Sequence, residues 1–169
     1  MGVHLSGPVQ GQPLDVSGLT TIIPPMGILD DMGALVDEFA AFPDWEARYR
    51  RIIELGRTLP PMDEALKIEQ NRVRGCASTV WLHAAAEPDA GAAPKIVFQA
   101  DSDAILVRGL VALLLKVYNR HTAREILGAP PDFLEDLGLN VNLSANRANG
   151  LTAMAARIRE YAEAFQAAG

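Results

Sequence analysis

The chain has 169 residues, enough for one domain with a substantial core, and 49% of them are hydrophobic against 21% charged. Its 15 Lys and Arg against 21 Asp and Glu give a formal net charge of −6. That balance argues against non-specific nucleic-acid binding, which needs a basic face. The longest apolar run, residues 109–115, is far shorter than the roughly 20 residues of a membrane span. We therefore expect neither a nucleic-acid partner nor a membrane span.

Residues 1–29 are predicted to form a flexible or loosely packed N-terminal extension, and residues 30–169 to form the folded domain. The extension is rich in Gly and Pro, Asp15 is the one formally charged residue before residue 28, and the first Lys or Arg of the chain is Arg48. Secretory and mitochondrial leaders carry early positive charge, so neither kind of leader is predicted.

A first helix is predicted to begin at Asp44, whose carboxylate can cap it, and to end before Pro60 and Pro61. Apolar residues recur along one face of this helix at helical spacing: Trp45, Tyr49, Ile52, Ile53 and Gly56. A further turn of helix is predicted at residues 63–66. The polypeptide thus enters the domain through helical structure.

Alternation of polar and apolar residues predicts two strands, at residues 77–83 and 95–100. Between them, residues 84–94 are rich in Ala, Gly and Pro, which predicts an antiparallel hairpin with a long loop. Asp101, Ser102 and Asp103 are cap candidates for a helix that extends to Tyr118. Because this helix is apolar on nearly every face, we expect it to lie deep in the core.

Three further helices are predicted toward the C-terminus. Thr122 and Glu125 form a capping box for a short helix that Gly128 closes. A second short helix spans residues 130–138, and the last helix spans residues 147–167. Helices, two or three strands and then more helices indicate the α+β class.

The single cysteine, Cys76, restricts the chemistry more than the composition does. One thiol excludes an intramolecular disulfide, so a disulfide-rich secreted fold is excluded and a reducing, cytoplasmic location is predicted. It also excludes an iron–sulfur cluster held by this chain alone, because such clusters need several thiolates. The three histidines have no zinc-hydrolase spacing, and we expect no metal site.

The neighbours of Cys76 leave two interpretations open. Gly75 permits unusual backbone angles, which predicts a turn, and Arg72 and Arg74 favour the nucleophilic thiolate. The thiol is therefore either reactive on a loop or a small hydrophobe buried in the core. If it is a hydrolase nucleophile, its candidate bases are His83 and His121, although neither belongs to a local nucleophile motif.

Several ordered motifs resemble the SufE family of sulfur-acceptor proteins, over about residues 34–163. The segments that carry the resemblance are residues 44–61, 71–82 around Cys76, 99–104 and 137–151. Family members commonly have Gly at the position of Ala100 and His at that of Asn142, and neither difference involves the thiol. On these motifs the chain is identified as a member of the family.

The resemblance implies an α+β sandwich, a small antiparallel sheet packed with helices, similar to the fold of the scaffold protein IscU. It implies that Cys76 accepts persulfide sulfur from a cysteine desulfurase of the SUF system, stimulates that desulfurase, and relays the sulfur to an iron–sulfur cluster assembly scaffold. Pyridoxal phosphate would belong to the desulfurase, so the chain itself is expected to hold no cofactor. It would be a sulfur carrier rather than a stand-alone enzyme.

Supporting or partner-binding roles are expected for Arg74, Gly75, Asp101, Asp103, Arg147, Asn149 and Gly150. By the resemblance, Arg147 matches an arginine of the family near the last helix, and the two aspartates match the part that supports the cysteine loop. A persulfide reacts readily with solvent thiols and oxidants, so we expect the loop to pack under apolar side chains, with Val73 and Val80 nearby. The alternatives are a desulfurase regulator that accepts no sulfur and a Cys–His hydrolase. A homodimer is left open.

Overall fold

The structure, a computed structural model, describes residues 27–168, so the predicted extension lies almost wholly outside the described residues. The elements are α1 (Ile28–Ala40), α2 (Trp45–Thr58), β1 (Val80–Asp89), β2 (Ala92–Ser102), α3 (Ile105–Tyr118), β3 (His121–Thr122), α4 (Ala123–Leu127), α5 (Phe133–Asp136), α6 (Leu139–Asn142) and α7 (Ala145–Ala168). The three strands form one antiparallel sheet in the order β1-β2-β3. The predicted α+β class is confirmed.

The hairpin of β1 and β2 is longer than the sequence predicted, and the predicted loop at residues 84–94 is wrong. The strands pair from Val80 opposite Ser102 to Asp89 opposite Ala92, which leaves a two-residue turn. Gly91 in that turn has φ +74°, a conformation that glycine adopts without strain. The register shifts between Glu87 and Asp89, where Pro88 has no N–H to donate to the ladder.

Helix α3 forms the centre of the core, as its nearly uniform apolar character predicted. Eleven of its 14 residues are buried, and α1, α2, β2 and α7 pack around it. The predicted caps are wrong, because β2 continues through Ser102 and Ala104 occupies the N-cap position without a side-chain hydrogen bond to the helix. The helix therefore starts at Ile105, with uncapped N–H groups in its first turn.

The backbones of α2 and α3 are in contact where the two helices cross, at Gly56 and Gly109. A Cβ atom built on Gly109 would lie 2.2 Å from the carbonyl oxygen of Ile52, and one on Gly56 would lie 2.8 Å from the nitrogen of Gly109. Next to this crossing, Arg108 donates from Nε to the carbonyl of Gly56 at 3.0 Å and from Nη2 to that of Leu59 at 3.2 Å. The arginine thus gives further hydrogen bonds to backbone carbonyls at the C-terminal end of α2.

The predicted caps of α2 and α4 are confirmed. Asp44 accepts a hydrogen bond from the Ala47 amide at 2.9 Å, and Thr122 and Glu125 form the reciprocal capping box. The helical turn predicted at residues 63–66 is a 3₁₀ turn at Glu64–Leu66. The last helix begins two residues before its predicted start and packs on α3, α4 and β1. None of the helices between residues 27 and 168 has the length and hydropathy that a bilayer crossing requires.

Candidate functional site

Cys76 lies on a short loop, residues 74–78, whose base is closed by backbone pairing. The Val73 amide donates to the Val80 carbonyl at 2.8 Å, and Arg72 forms an isolated antiparallel bridge with Trp81. Gly75 has φ +91°, so the turn predicted before the cysteine is confirmed, and a side chain at that position would strain the backbone. We call residues 74–78 the cysteine loop.

Asp103 fastens the exit of the cysteine loop to the start of α3. Its Oδ1 accepts from the Thr79 amide at 3.1 Å, and its own amide donates to the Thr79 carbonyl at 3.3 Å. Ser102 adds a hydroxyl that donates to the same carbonyl at 2.8 Å. Both backbone groups of Thr79 are therefore held by the segment between β2 and α3.

The thiol of Cys76 is half-buried against α7. It donates to the carbonyl of Gly150 at 3.5 Å, and a Cβ atom on Gly150 would lie 3.4 Å from Sγ. Within residues 27–168 this is the one hydrogen bond that joins the cysteine loop to another element. A cavity of about 20 Å³ borders the thiol, and Val107, Gly150 and Met154 are among its lining residues. The thiol therefore helps to hold its own loop closed.

The apolar shelter expected for the thiol is present, but its residues differ from those named from the sequence. Val73 and Val80 are buried at the base of the loop; neither lines the cavity between Cys76 and α7, and Val73 lines a separate cavity on the other side of the loop. Val107 and Met154 line the cavity between Cys76 and α7, and both come from helices remote in sequence. Met154 lies four residues after Gly150 on α7, so helical spacing alone places the two on one face.

The thiolate that two nearby arginines were expected to favour is not favoured in this conformation. Burial raises the pKa of the Cys76 thiol. The Arg74 side chain is 80% exposed and pairs with Glu69 at 3.3 Å, and Arg72 lies 3.9 Å from the same carboxylate. Both guanidinium groups pair with Glu69, and the raised pKa of the thiol follows from its burial.

Asp101 occupies a different position from Asp103 and does not contact the cysteine loop. Its buried carboxylate pairs with Arg108 at 2.8 Å and with Lys67 at 3.0 Å. Burial alone would raise the pKa of Asp101, but hydrogen bonds from Lys67 and the Ser102 amide and the charge of Arg108 hold that pKa below its usual value. Asp101 thus links β2 to α3 through Arg108 and to the segment before the cysteine loop through Lys67.

We expect Asp101→Ala to act mainly on stability and Asp103→Ala mainly on the cysteine loop, so that each variant serves as the control of the other. Asp101→Ala removes the carboxylate partner of Arg108 and one of the two carboxylates paired with Lys67, and it should lower the free energy of unfolding in urea by about 2 kcal/mol at pH 7. This difference should fade as the pH falls through the lowered pKa of Asp101, since its stabilisation requires the carboxylate. Asp103→Ala removes one exposed hydrogen bond, with about 1 kcal/mol of stability.

The same Asp103→Ala variant should alkylate faster at Cys76, by roughly threefold to tenfold with iodoacetamide, because the loop exit loses one of its three hydrogen bonds. Asp101→Ala, assayed in conditions where it is folded, should keep the wild-type alkylation rate. Equal alkylation rates in wild type and Asp103→Ala would show that the anchor does not restrain the loop.

Of the remaining residues predicted for the site, Arg147 and Gly150 line the cavity of Cys76, and Asn149 does not. Arg147 lines the cavity of Cys76, and it also lines a larger cleft of about 480 Å³ beside it. Gly150 contacts the thiol directly, as described above. Asn149 is exposed, and its side chain forms no hydrogen bond with any residue of the described range, so the structure gives it no contact with Cys76.

The two candidate bases lie away from the thiol. Neither histidine lines the cavities that border Cys76 in the described structure. His121 is held instead between Asp31 at 3.6 Å and Glu125 at 3.5 Å, and His83 lies on β1 opposite Gln99. Among residues 27–168 no cluster of His, Cys, Asp and Glu is placed to hold a metal ion. The arrangement offers an isolated thiol and gives no support to a Cys–His hydrolase.

Comparison with known proteins agrees with this geometry. The SufE family model, described as an Fe-S metabolism associated domain, matches residues 33–162. An uncharacterized SufE-like protein of Rhizobium etli is 44% identical over 137 residues, which cover 79% of this chain and 90% of that protein. The sulfur acceptor protein CsdE of Escherichia coli K12 is 37% identical over 136 residues, covering 79% of this chain and 89% of CsdE.

A solved structure shares the fold. The solution structure of a hypothetical protein from Thermus thermophilus superposes with a TM-score of 0.66 at 22% identity and covers 81% of this chain and 96% of its own. The family model spans most of the described residues, including the cysteine loop and the glycine of α7 against which the thiol rests. The chain belongs to the SufE family.

Proposed function

We propose that this chain accepts sulfur as a persulfide on Cys76 from a cysteine desulfurase and relays it to an iron–sulfur cluster assembly scaffold. The observation that carries the proposal is the placement of the chain's single thiol on a loop fastened at both ends, in a SufE-family domain. The likeness to the sulfur acceptor protein CsdE supports the same assignment.

The acceptance step is an exchange between a thiol and a persulfide. Deprotonated Cys76 attacks the outer sulfur of the donor persulfide, and a bond forms between that sulfur and Sγ. The sulfur–sulfur bond of the donor breaks, and the donor leaves as a thiolate that takes up the proton lost by Cys76. The second transfer repeats this exchange from Cys76 to the recipient. No external oxidant or reductant is consumed, and the exchange requires no cofactor on this chain.

The closed loop supports a two-state cycle. In the closed state the thiol is protonated and packed against Gly150, so it reacts slowly with small thiols and oxidants. For transfer, the loop must leave α7 so that Sγ reaches the donor sulfur. Release from α7 breaks one weak hydrogen bond of the thiol and the packing of Cys76 against the core, and binding of a partner would offset this cost.

Loading by a desulfurase tests the proposal. The chain is incubated with a cysteine desulfurase and cysteine without reductant, and its intact mass is then measured. We expect a gain of at least one sulfur atom that dithiothreitol removes. An unmodified chain that still stimulates the desulfurase would make it a regulator. The SUF pathway, the cytoplasmic location and a homodimer stay predictions from the sequence.

A further inference from the structure

We infer that the cleft beside Cys76 is the surface on which the desulfurase docks, through a segment that carries an apolar side chain next to a carboxylate. The inference rests on the proposed function, and it assigns the face from which the donor approaches. The cleft has a volume of about 480 Å³ and runs between α2, the start of α3 and the start of α7.

The cleft is continuous with the cavity of the thiol. Ser78, Val107 and Arg147 line both spaces, so one wall of the cleft is also a wall of the Cys76 cavity. A segment seated in the cleft would contact the cysteine loop at Ser78 and would lie next to Sγ when the loop opens. This placement brings the donor to the thiol without passage through the core.

Ile105 supplies an apolar contact in the cleft. Its side chain is 70% exposed, although the next two residues of α3, Leu106 and Val107, are 5% and 7% exposed. Three other large apolar residues in the described range are comparably exposed, namely Leu29, Ile68 and Val141, and none of them lines this cleft. An exposed isoleucine inside a concave surface, beside the proposed nucleophile, fits a contact that a partner buries.

The charges around Ile105 indicate which surface it meets. Arg147 has no carboxylate within ion-pair distance among residues 27–168, and the first turn of α3 has neither an acidic residue nor a capping side chain. Both features favour a negative charge on the partner. Asp103 is the one acidic residue of the lining, and its Oδ1 is already bonded to the Thr79 amide. A carboxylate of the partner beside Arg147 therefore complements the cleft.

The opposite side of the cysteine loop is a poorer docking surface. The cavity there, about 230 Å³, is lined by residues 72–76 alone, and its two arginines are paired with Glu69. Its apolar residue, Val73, is 4% exposed and so is not available to a partner. The exposed apolar side chain and the unpaired cation both lie on the cleft side.

Ile105→Asp tests the inference, with Leu29→Asp as the matched control because Leu29 is 65% exposed and lies outside the cleft. Each full-length chain is titrated into a cysteine desulfurase, and alanine formation from cysteine is measured. We expect Ile105→Asp to raise the half-saturating concentration by about tenfold or more, and Leu29→Asp to leave it unchanged. Ile105→Ala, which adds no charge, should give a smaller rise.

A second readout separates docking from damage to the thiol. Loading of Cys76 by glutathione persulfide, a donor too small to need the cleft, should proceed at the wild-type rate in Ile105→Asp. Half-saturating concentrations that are equal for Ile105→Asp and Leu29→Asp would overturn the docking surface. Failure of the proposed function is distinguishable, because the wild-type chain itself would then gain no sulfur from the desulfurase, whatever its rate of loading by glutathione persulfide.

Discussion

Replacing Cys76 with serine should abolish loading and return alanine formation by the desulfurase to the rate without this chain. The serine hydroxyl is not a sulfur nucleophile at neutral pH, so the exchange loses its acceptor atom. The fold should be unaffected, because a serine hydroxyl can still donate to the Gly150 carbonyl that the thiol contacts. The loss is therefore chemical rather than structural.

A matched change in the same loop is Ser78→Ala. Ser78 is half-buried and lines the same cavity, but it takes no part in the exchange. Ser78→Ala should keep most of the stimulation, whereas Cys76→Ser keeps none. Full stimulation by Cys76→Ser would mean that the chain regulates the desulfurase without accepting sulfur.

Gly109→Ala should be the most damaging addition of a single methyl group in the described structure. Its Cβ would lie 2.2 Å from the Ile52 carbonyl oxygen and 2.7 Å from Ile52 Cγ2, so the backbones of α2 and α3 must separate. Overpacking against backbone cannot be relieved by a rotamer change, and we expect a loss of about 3 kcal/mol in the free energy of unfolding. Urea unfolding followed by circular dichroism measures it.

Gly33→Ala is the control for that substitution. Gly33 is an exposed residue within α1, and a Cβ atom there meets nothing within 4 Å. Because alanine is the better helix former, Gly33→Ala should raise stability by about 1 kcal/mol. Equal stabilities of the two variants would contradict the close contact between α2 and α3.

The parts of the fold that were predictable depend on local interactions. Asp44 and Thr122 cap their helices through amides three residues away, so their residue types and spacing were sufficient to locate the helix starts. Helix α1 was missed although its buried residues, Ile28, Met32, Leu35 and Phe39, have helical spacing. The predicted strands of the hairpin did not reach the turn, because alanine and proline are poor indicators of a strand.

The sequence singles out Cys76, but it does not identify the residues packed around the thiol. Cys76 was identified from its motif, but the residues that shelter it come from α3 and α7, and only tertiary packing brings them together. Arg72 and Arg74 pair with Glu69, and burial raises the pKa of the thiol, so the lowering expected from the two arginines is absent. An arginine close in sequence to a cysteine does not predict the pKa of the thiol unless the position and ion-pair partner of the arginine are also known.

The most direct test of the central claim is to locate the transferred sulfur on the chain. After incubation with desulfurase and cysteine, persulfides are alkylated, and the tryptic peptide of residues 75–95, which contains the single cysteine, is analysed by mass spectrometry. We predict that this peptide carries an added sulfur between Sγ and the alkyl group, and that a reductant removes both. A peptide alkylated directly on Sγ, from a chain that stimulates the desulfurase fully, would contradict sulfur acceptance by Cys76.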